Sequence, residues 1–236
     1  MNNPHLTQPL YSVIILIYHR SRELVDMARD CVESVRESMP AGTEIIIVDN
    51  GSPQRFSWFK YSDVYIRFNK NMGISHGWNV GLKASRGKYK CILGDDTIVT
   101  KGFLEALKES MDMPDCGVGQ IHVESLPQGI GVVENYKWPS GACFMVTQNT
   151  LDKVGYFEAD TYWPCNFEDW DYWYRTYQAG LKMYRNYHTS IQHREGATLH
   201  SPDLSSYFQE NRRAFIKKHG IDPEMVFCGD QPMPLT

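Results

Sequence analysis

The 236-residue chain has no apolar run of membrane-spanning length. Its longest aliphatic stretches are Val13–Ile17 and Ile45–Val48, whereas a spanning helix needs about 20 apolar residues. The opening Met1-Asn2-Asn3-Pro4-His5 lacks a basic region and a following apolar core, so no signal peptide is expected. None of the six cysteines forms a C-x-x-C pair, which removes the usual zinc-ribbon and dithiol signatures. Cys31, Cys91 and Cys143 lie inside apolar patterns, where a free thiol behaves as a small hydrophobe, and a reduced, cytoplasmic protein is expected. Charge of one sign is also lacking: 24 Lys+Arg against 28 Asp+Glu leave a net −4, too little to provide a global field for nucleic acid. With no repeat, low-complexity tract or linker, a single domain over residues 1–236 is expected.

The hydrophobic patterning points to an α/β fold. Ser12 to Tyr18 (SVIILIY) is a nearly continuous β-branched run, suited to a strand buried on both faces. Leu24, Met27, Ala28, Cys31, Val32 and Val35 then recur at helical spacing until Pro40 and Gly42 stop the helix. Glu44 to Val48 reads as a second buried strand, and the β-α-β order predicts a parallel sheet with a right-handed crossover. Further strands are predicted at Val64–Phe68, Tyr89–Leu93, Gly141–Thr147 and Leu181–Ile191. Helices are predicted at Ile74–Ser85, Lys101–Met111, Glu168–Ala179 and Leu204–His219. From Cys116 to Pro139 the pattern is irregular.

Ligands of parallel sheets bind outside the carboxyl ends of the strands, and two acidic sites fall there: Asp49 after the second strand and Asp95-Asp96 after the Tyr89 strand. Adjacent carboxylates repel unless a cation or solvent intervenes, and oxygen ligation favours Mg²⁺ or Mn²⁺ over zinc. A solvated turn accounts for the same residues, because Asp is common in turns. Glu168-Asp169 begins a predicted helix, where a carboxylate either complements the helix dipole as a cap or stands ionised as a general base.

Several motifs in order carry a resemblance. They are SVIILIYHR (Ser12 to Arg20), IIIVDNGS (Ile45 to Ser52), the stretch from Asn69 to Thr97 ending in GDDT, PSGACFMV (Pro139 to Val146), FEDWDYWYR (Phe167 to Arg175) and IQH (Ile191 to His193). Together they resemble the family 2 glycosyltransferases, inverting enzymes of the GT-A fold that use nucleotide sugars. The resemblance implies a Rossmann-like, mostly parallel central sheet flanked by helices, with a nucleotide-binding half over about 11–100 and an acceptor and catalytic half over about 101–236. It implies that Asp49 binds the base, with Tyr18 and Arg20 lining the same pocket, and that Gly73 and Asn79 shape the ribose and diphosphate site. Asp95 and Asp96 resemble the family's DxD-type motif, Asp96 being the direct ligand of Mn²⁺ or Mg²⁺ and His193 a further ligand. Gly94 stands where the family carries the first acid, leaving ribose and metal to fewer side chains. Asp169 matches the catalytic base, Glu168 is expected to orient the acceptor hydroxyl, and Asp171 to be structural.

Trp138, Ser140, Gly141, Trp163 and Trp170 are candidate walls for donor sugar or acceptor, since indole stacks on sugar faces, while Trp173 is assigned to the core. His19, His76 and His122 are assigned to the surface or to hydrogen-bonded core positions. Arg212, Arg213, Lys217 and Lys218 cluster on the last helix, a solvated face or an anion-facing surface. The expected donor is a UDP-sugar, then a dTDP-sugar. The acceptor is a glycan, a lipid-linked sugar reached by peripheral membrane association, or a hydroxylated base of viral DNA. A sugar-nucleotide pyrophosphorylase would need a glycine-rich loop where this chain has Tyr18-His19-Arg20-Ser21. A non-catalytic nucleotide-sugar binding module is the rival of another class.

Overall fold

A computed structural model describes residues 8–137, 140–194, 205–229 and 233. Its first part follows the predicted order: β1 (Tyr11–Ile17), α1 (Arg22–Ser38), β2 (Glu44–Asp49), β3 (Val64–Arg67), α2 (Ile74–Ala84) and β4 (Tyr89–Gly94). β1 pairs in parallel with β2 on one side and β4 on the other, and β3 extends the sheet beyond β2. The β-branched run is explained by the two faces it serves. Val13, Ile15 and Ile17 pack with Val25, Ala28, Val32 and Val35 of α1. Ile14 packs with Ile46, Val48 and Leu82 on the other face, under α2. α2 lies so close to the sheet that a Cβ on Gly77 would stand 2.2 Å from Leu16 Cδ1, and one on Gly81 2.3 Å from Ile14 Cγ2. The two glycines, four residues apart on one helix face, make that approach possible.

The second part adds β5 (Thr97–Ile98), α3 (Phe103–Met111), β6 (Cys116–Val123), β7 (Val132–Glu134), β8 (Cys143–Thr147), α4 (Gln148–Val154), α5 (Glu168–Gln178), β9 (Lys182–His193) and α6 (Ser205–His219), then a π-helical turn at Glu224–Cys228. The sheet order is β3-β2-β1-β4-β8-β6-β9-β5, with β7 also on β9. β8 runs antiparallel between β4 and β6, whereas β6 and β9 are parallel, so the sheet is mixed but mostly parallel, as expected. Part of the stretch read as irregular is the central strand β6. Its glycines and polar residues hide the strand pattern: Gln120 is buried and its Oε1 accepts from Arg185 Nη2 at 3.1 Å, while Gly119 lets Leu107 of α3 come close. α4, also unforeseen, is capped by Thr147 and closed by Gly155 at φ 86°. All six cysteines are free thiols. Among the described residues no helix is long and apolar enough to cross a membrane.

Asp171 ties α5 to α6. It is fully buried, and Oδ1 accepts from Lys218 Nζ (2.7 Å), His219 Nε2 (2.8 Å) and Tyr162 Oη (3.1 Å), while Oδ2 accepts from Arg175 Nε (2.7 Å). Burial opposes the charge, but hydrogen bonds from His219, the Arg175 guanidinium and Lys218 outweigh it and hold the carboxyl far below the usual range. A depressed carboxylate pKa stabilises the fold above about pH 4, and this contribution is lost as pH falls towards the native value. Asp171→Ala should therefore cost about 3 kcal/mol, because it leaves buried cations unpaired. The melting temperature should fall by on the order of 10 °C at pH 7, and by less in acid; thermal melts across that pH range check it. The same contacts break up the basic cluster of the last helix. Lys218 is committed to Asp171 and to Glu158 (3.1 Å), and Arg212 to Asp222 (2.6 Å) and Glu224 (2.9 Å).

Candidate active site

β1, β4 and β6 all point their carboxyl ends into one cleft of about 840 Å³, closed on its far side by the Trp163–Trp170 segment and the start of α6. Tyr18, Arg20, Asp95, Asp96, His193, Ser140, Gly141, Trp163, Glu168, Asp169 and Trp170 all line it, so the structure brings most of the predicted site residues together. Arg20 is the sole Lys or Arg among the described lining residues, in company with four acidic side chains.

The two neighbouring aspartates are held by different partners. β5 pairs antiparallel with the end of β9, matching Thr97 with His193. That register sets His193 Nε2 3.2 Å from Asp96 Oδ1, and Arg194 N donates to Asp96 O at 2.9 Å. Asp95 turns inward: its Oδ2 lies 3.2 Å from Nε2 of His19, which is itself buried. Burial raises the Asp95 pKa, and the His19 hydrogen bond offsets part of that rise. Gly94 has a local reason: a Cβ there would stand 2.8 Å from Asp96 Oδ1, so the Asp96 carboxylate occupies the space an acid would need. Among the described residues no group of three or more His, Cys, Asp or Glu side chains is arranged to hold a metal by itself.

The second pair sits at the start of α5. The chain enters this helix through Asn166 (φ 77°) and Phe167 (φ 72°), two successive left-handed residues without glycine. That conformation is uncommon and costs energy for residues bearing a Cβ. Glu168 is buried, and its Oε2 has no hydrogen-bond partner. Its carboxyl is pushed well above the ordinary range, first by burial and then by the Asp169 charge. Burial also raises Asp169, to about 6, against hydrogen bonds from the backbone of Trp170, Asp169 and Gly141. The helix N-terminus favours the ionised form, while desolvation opposes it and raises the carboxyl to about 6. Gly141 is needed for this contact, since a Cβ would come 2.8 Å from Asp169 Oδ2.

Other expected residues stand apart. Asp49 is buried, accepting from Ser52 N (2.7 Å), Tyr65 Oη (2.9 Å) and Arg67 Nη1, and it does not line the cleft, although Asn50 and Asn71 do. Asn79 faces away and clamps Phe157: its Nδ2 donates to Phe157 O (2.8 Å) and its Oδ1 accepts from Phe157 N (2.9 Å). Gly73 caps α2 at φ 86° and lies against the Trp163 ring, where a Cβ would be 3.0 Å from Cδ1. Trp138 lies outside the described residues. Trp163 is 45% exposed and meets Tyr207 edge-to-face at 5.2 Å, whereas Trp170 is packed by Phe167 and Phe227. Trp173 is fully buried. Of the two places open to His19, surface or hydrogen-bonded core, the structure has the second, with Asp95 as its partner. Its place in the loop after β1, next to Arg20, was the available signal.

A family model described as glycosyl transferase family 2 matches residues 12–208. Among curated relatives, the glycosyltransferase GlyG of Streptococcus pneumoniae is 30% identical over 117 residues, 46% of this chain and 37% of that protein. The aligned stretches span from about a third to two thirds of the length of the curated relatives. Among solved structures, S. aureus TarS 1–349 in complex with UDP-GlcNAc superposes with a TM-score of 0.65 at 17% identity, covering 87% of this chain and 66% of that one. GalNAc-T7 with UDP, GalNAc and Mn²⁺ superposes with a TM-score of 0.62 at 16% identity, covering 79% and 44%.

Proposed function

Because the chain belongs to glycosyl transferase family 2, we propose that its cleft takes a nucleoside-diphosphate sugar, UDP-linked first and dTDP-linked second, and transfers the sugar with inversion to a hydroxyl of an uncharged saccharide. The observation that carries this reading is the meeting of the Asp96–His193 pair and the half-buried Asp169 in one cleft at the carboxyl ends of β-strands. The likeness of fold to proteins holding UDP-GlcNAc, or UDP with Mn²⁺, supports the donor class.

Asp169 takes the proton of the acceptor hydroxyl as that oxygen attacks the anomeric carbon. The bond from that carbon to the diphosphate breaks, and its electron pair leaves with the diphosphate. A base with a pKa near 6 is largely ionised at neutral pH yet basic enough to help, which suits general-base work. Glu168, whose carboxyl burial pushes well above the ordinary range, orients the acceptor hydroxyl. Tyr18 and Arg20 hold the nucleotide, and His19 fixes Asp95 behind the donor site. With four acidic side chains and one arginine among its described lining residues, the cleft disfavours a bare diphosphate, which added positive charge would admit. Asp96 and His193, 3.2 Å apart at the mouth of the β4 end, would be the residues to hold a divalent cation. The imidazole favours Mn²⁺ over Mg²⁺. When bound, the cation supplies Lewis-acid stabilisation of the departing diphosphate.

The same charge balance disfavours DNA as acceptor, because a polyanion gains affinity by neutralising phosphates with Lys and Arg. The exposed Trp163 ring beside Tyr207 suits the apolar face of a sugar instead. UDP-sugars and dTDP-glucose incubated with Mn²⁺ and either neutral saccharides or duplex DNA test the reading. UDP release that depends on a saccharide is expected. Release with DNA alone would move the acceptor to nucleic acid, and release with neither would leave the binding-module reading.

A further inference from the structure

Three backbone carbonyls of the Trp163–Phe167 segment converge on one side chain that no catalytic motif contains. Asn211, on α6, is 4% exposed. Its Nδ2 donates to Cys165 O at 2.7 Å, Asn166 O at 3.3 Å and Trp163 O at 3.4 Å. The carbonyl between them, Pro164 O, accepts from Ile74 N at 2.9 Å, so α2 and α6 grip this short segment from two sides. It carries Trp163 at one end and, at the other, the left-handed pair Asn166–Phe167 that delivers Glu168 and Asp169 into the cleft.

We infer that Asn211 is a positioning residue for the transfer reaction: its amide holds the Trp163–Phe167 segment in the strained path that aims the base and the aromatic wall at the same point. The physical argument has two parts. Carbonyls buried without donors cost free energy, and three facing one another also repel, so removing the amide leaves the segment free to rotate its peptides outward. Two left-handed residues in succession persist only where surrounding contacts over-determine them, and the hydrogen bonds from the Asn211 amide to Cys165 O and Asn166 O are among those contacts. Relaxation there moves Asp169 without touching Tyr18, Arg20, Asp96 or His193, which reach the cleft from other elements. The inference rests on the proposed role of Asp169.

Asn211→Ala is the test, with Arg212→Ala as a control on the same helix, because Arg212 bonds Asp222 and Glu224 away from this segment. Misplacing a catalytic group by about 1 Å can cost about 100-fold. Turnover of UDP-GlcNAc with Mn²⁺ should thus fall by about that factor in Asn211→Ala, while UDP affinity by calorimetry stays within about twofold. Amide hydrogen exchange should accelerate over residues 163–170 and not in β1 or β4. Arg212→Ala should leave turnover and that exchange unchanged, and Asn211→Gln, which keeps a carboxamide, should recover part of the rate and carries the comparison if the alanine variant does not fold. Wild-type turnover in Asn211→Ala would overturn the inference, as would equal losses in both single variants. A wild-type protein inert towards UDP-GlcNAc would instead count against the proposed function. The exchange pattern over 163–170 would then still decide whether Asn211 holds the segment, unchanged exchange there refuting it.

Discussion

Asp169→Asn is expected to lower the transfer rate by about 10²–10⁴-fold, the usual contribution of a general base, while making the protein more stable at neutral pH. Both effects come from one fact, the burial that raises this carboxyl to about 6. Its native pKa lies above the unfolded value, so its favourable contribution is complete below about pH 4 and is lost as pH rises through about 6. Above pH 6 the buried charge works against folding. Replacing it with a neutral amide should therefore return on the order of 1–3 kcal/mol at pH 7, several degrees in melting temperature for a chain this size, with no gain near pH 4. The wild-type rate should climb with pH and level off above about 6, an acid limb that the variant lacks. Glu168→Gln separates the two acids. It keeps a polar group of the same shape, and Glu168 accepts no proton in the proposed step, so its rate should fall far less. Thermal melts and pH–rate profiles of the three proteins check these expectations together.

Asp96→Ala is the second large effect. The carboxylate is one of the two proposed cation ligands that the β5–β9 pairing brings together, the other being His193 at 3.2 Å. Losing a ligand should weaken Mn²⁺-assisted UDP binding by about 100-fold or more, beyond the 10–100-fold typical of losing a group that merely supports a ligand. Metal-free UDP binding should not worsen, because removing a carboxylate relieves repulsion with the diphosphate. Full activity of Asp96→Ala in the presence of a chelator would overturn the assigned role of this residue. His193→Ala should show the same loss in milder form.

The parts of this fold that rest on local pattern were legible in the sequence. The run Val13–Ile17, the stripe of α1 and the run Ile45–Val48 each state which face is buried, and β1, α1 and β2 appear where those patterns put them. β6 was not legible, because a strand buried on both faces with Gln120 and Arg185 paired inside it has no apolar alternation to read. The site divides in the same way. Asp95, Asp96 and Asp169 could be located by position relative to strand and helix ends. The meeting of Asp96 with His193 depends on a two-residue strand pairing with the end of β9, which no local pattern announces. The neutralisation of Asp49 by Arg67 and Tyr65, and the turning of Asn79 towards Phe157, are decided by tertiary neighbours. So is the desolvation at Glu168 and Asp169 that works against the helix dipole.

The most direct test of the central claim is a calorimetric titration of the wild-type protein with UDP, run with and without Mn²⁺. A cleft whose described lining has four acidic side chains, one arginine and a paired aspartate and histidine should bind UDP tightly with Mn²⁺ and at least an order of magnitude more weakly without it. Equal binding in both titrations, or none by the folded protein, would contradict a cation-assisted nucleotide-sugar site.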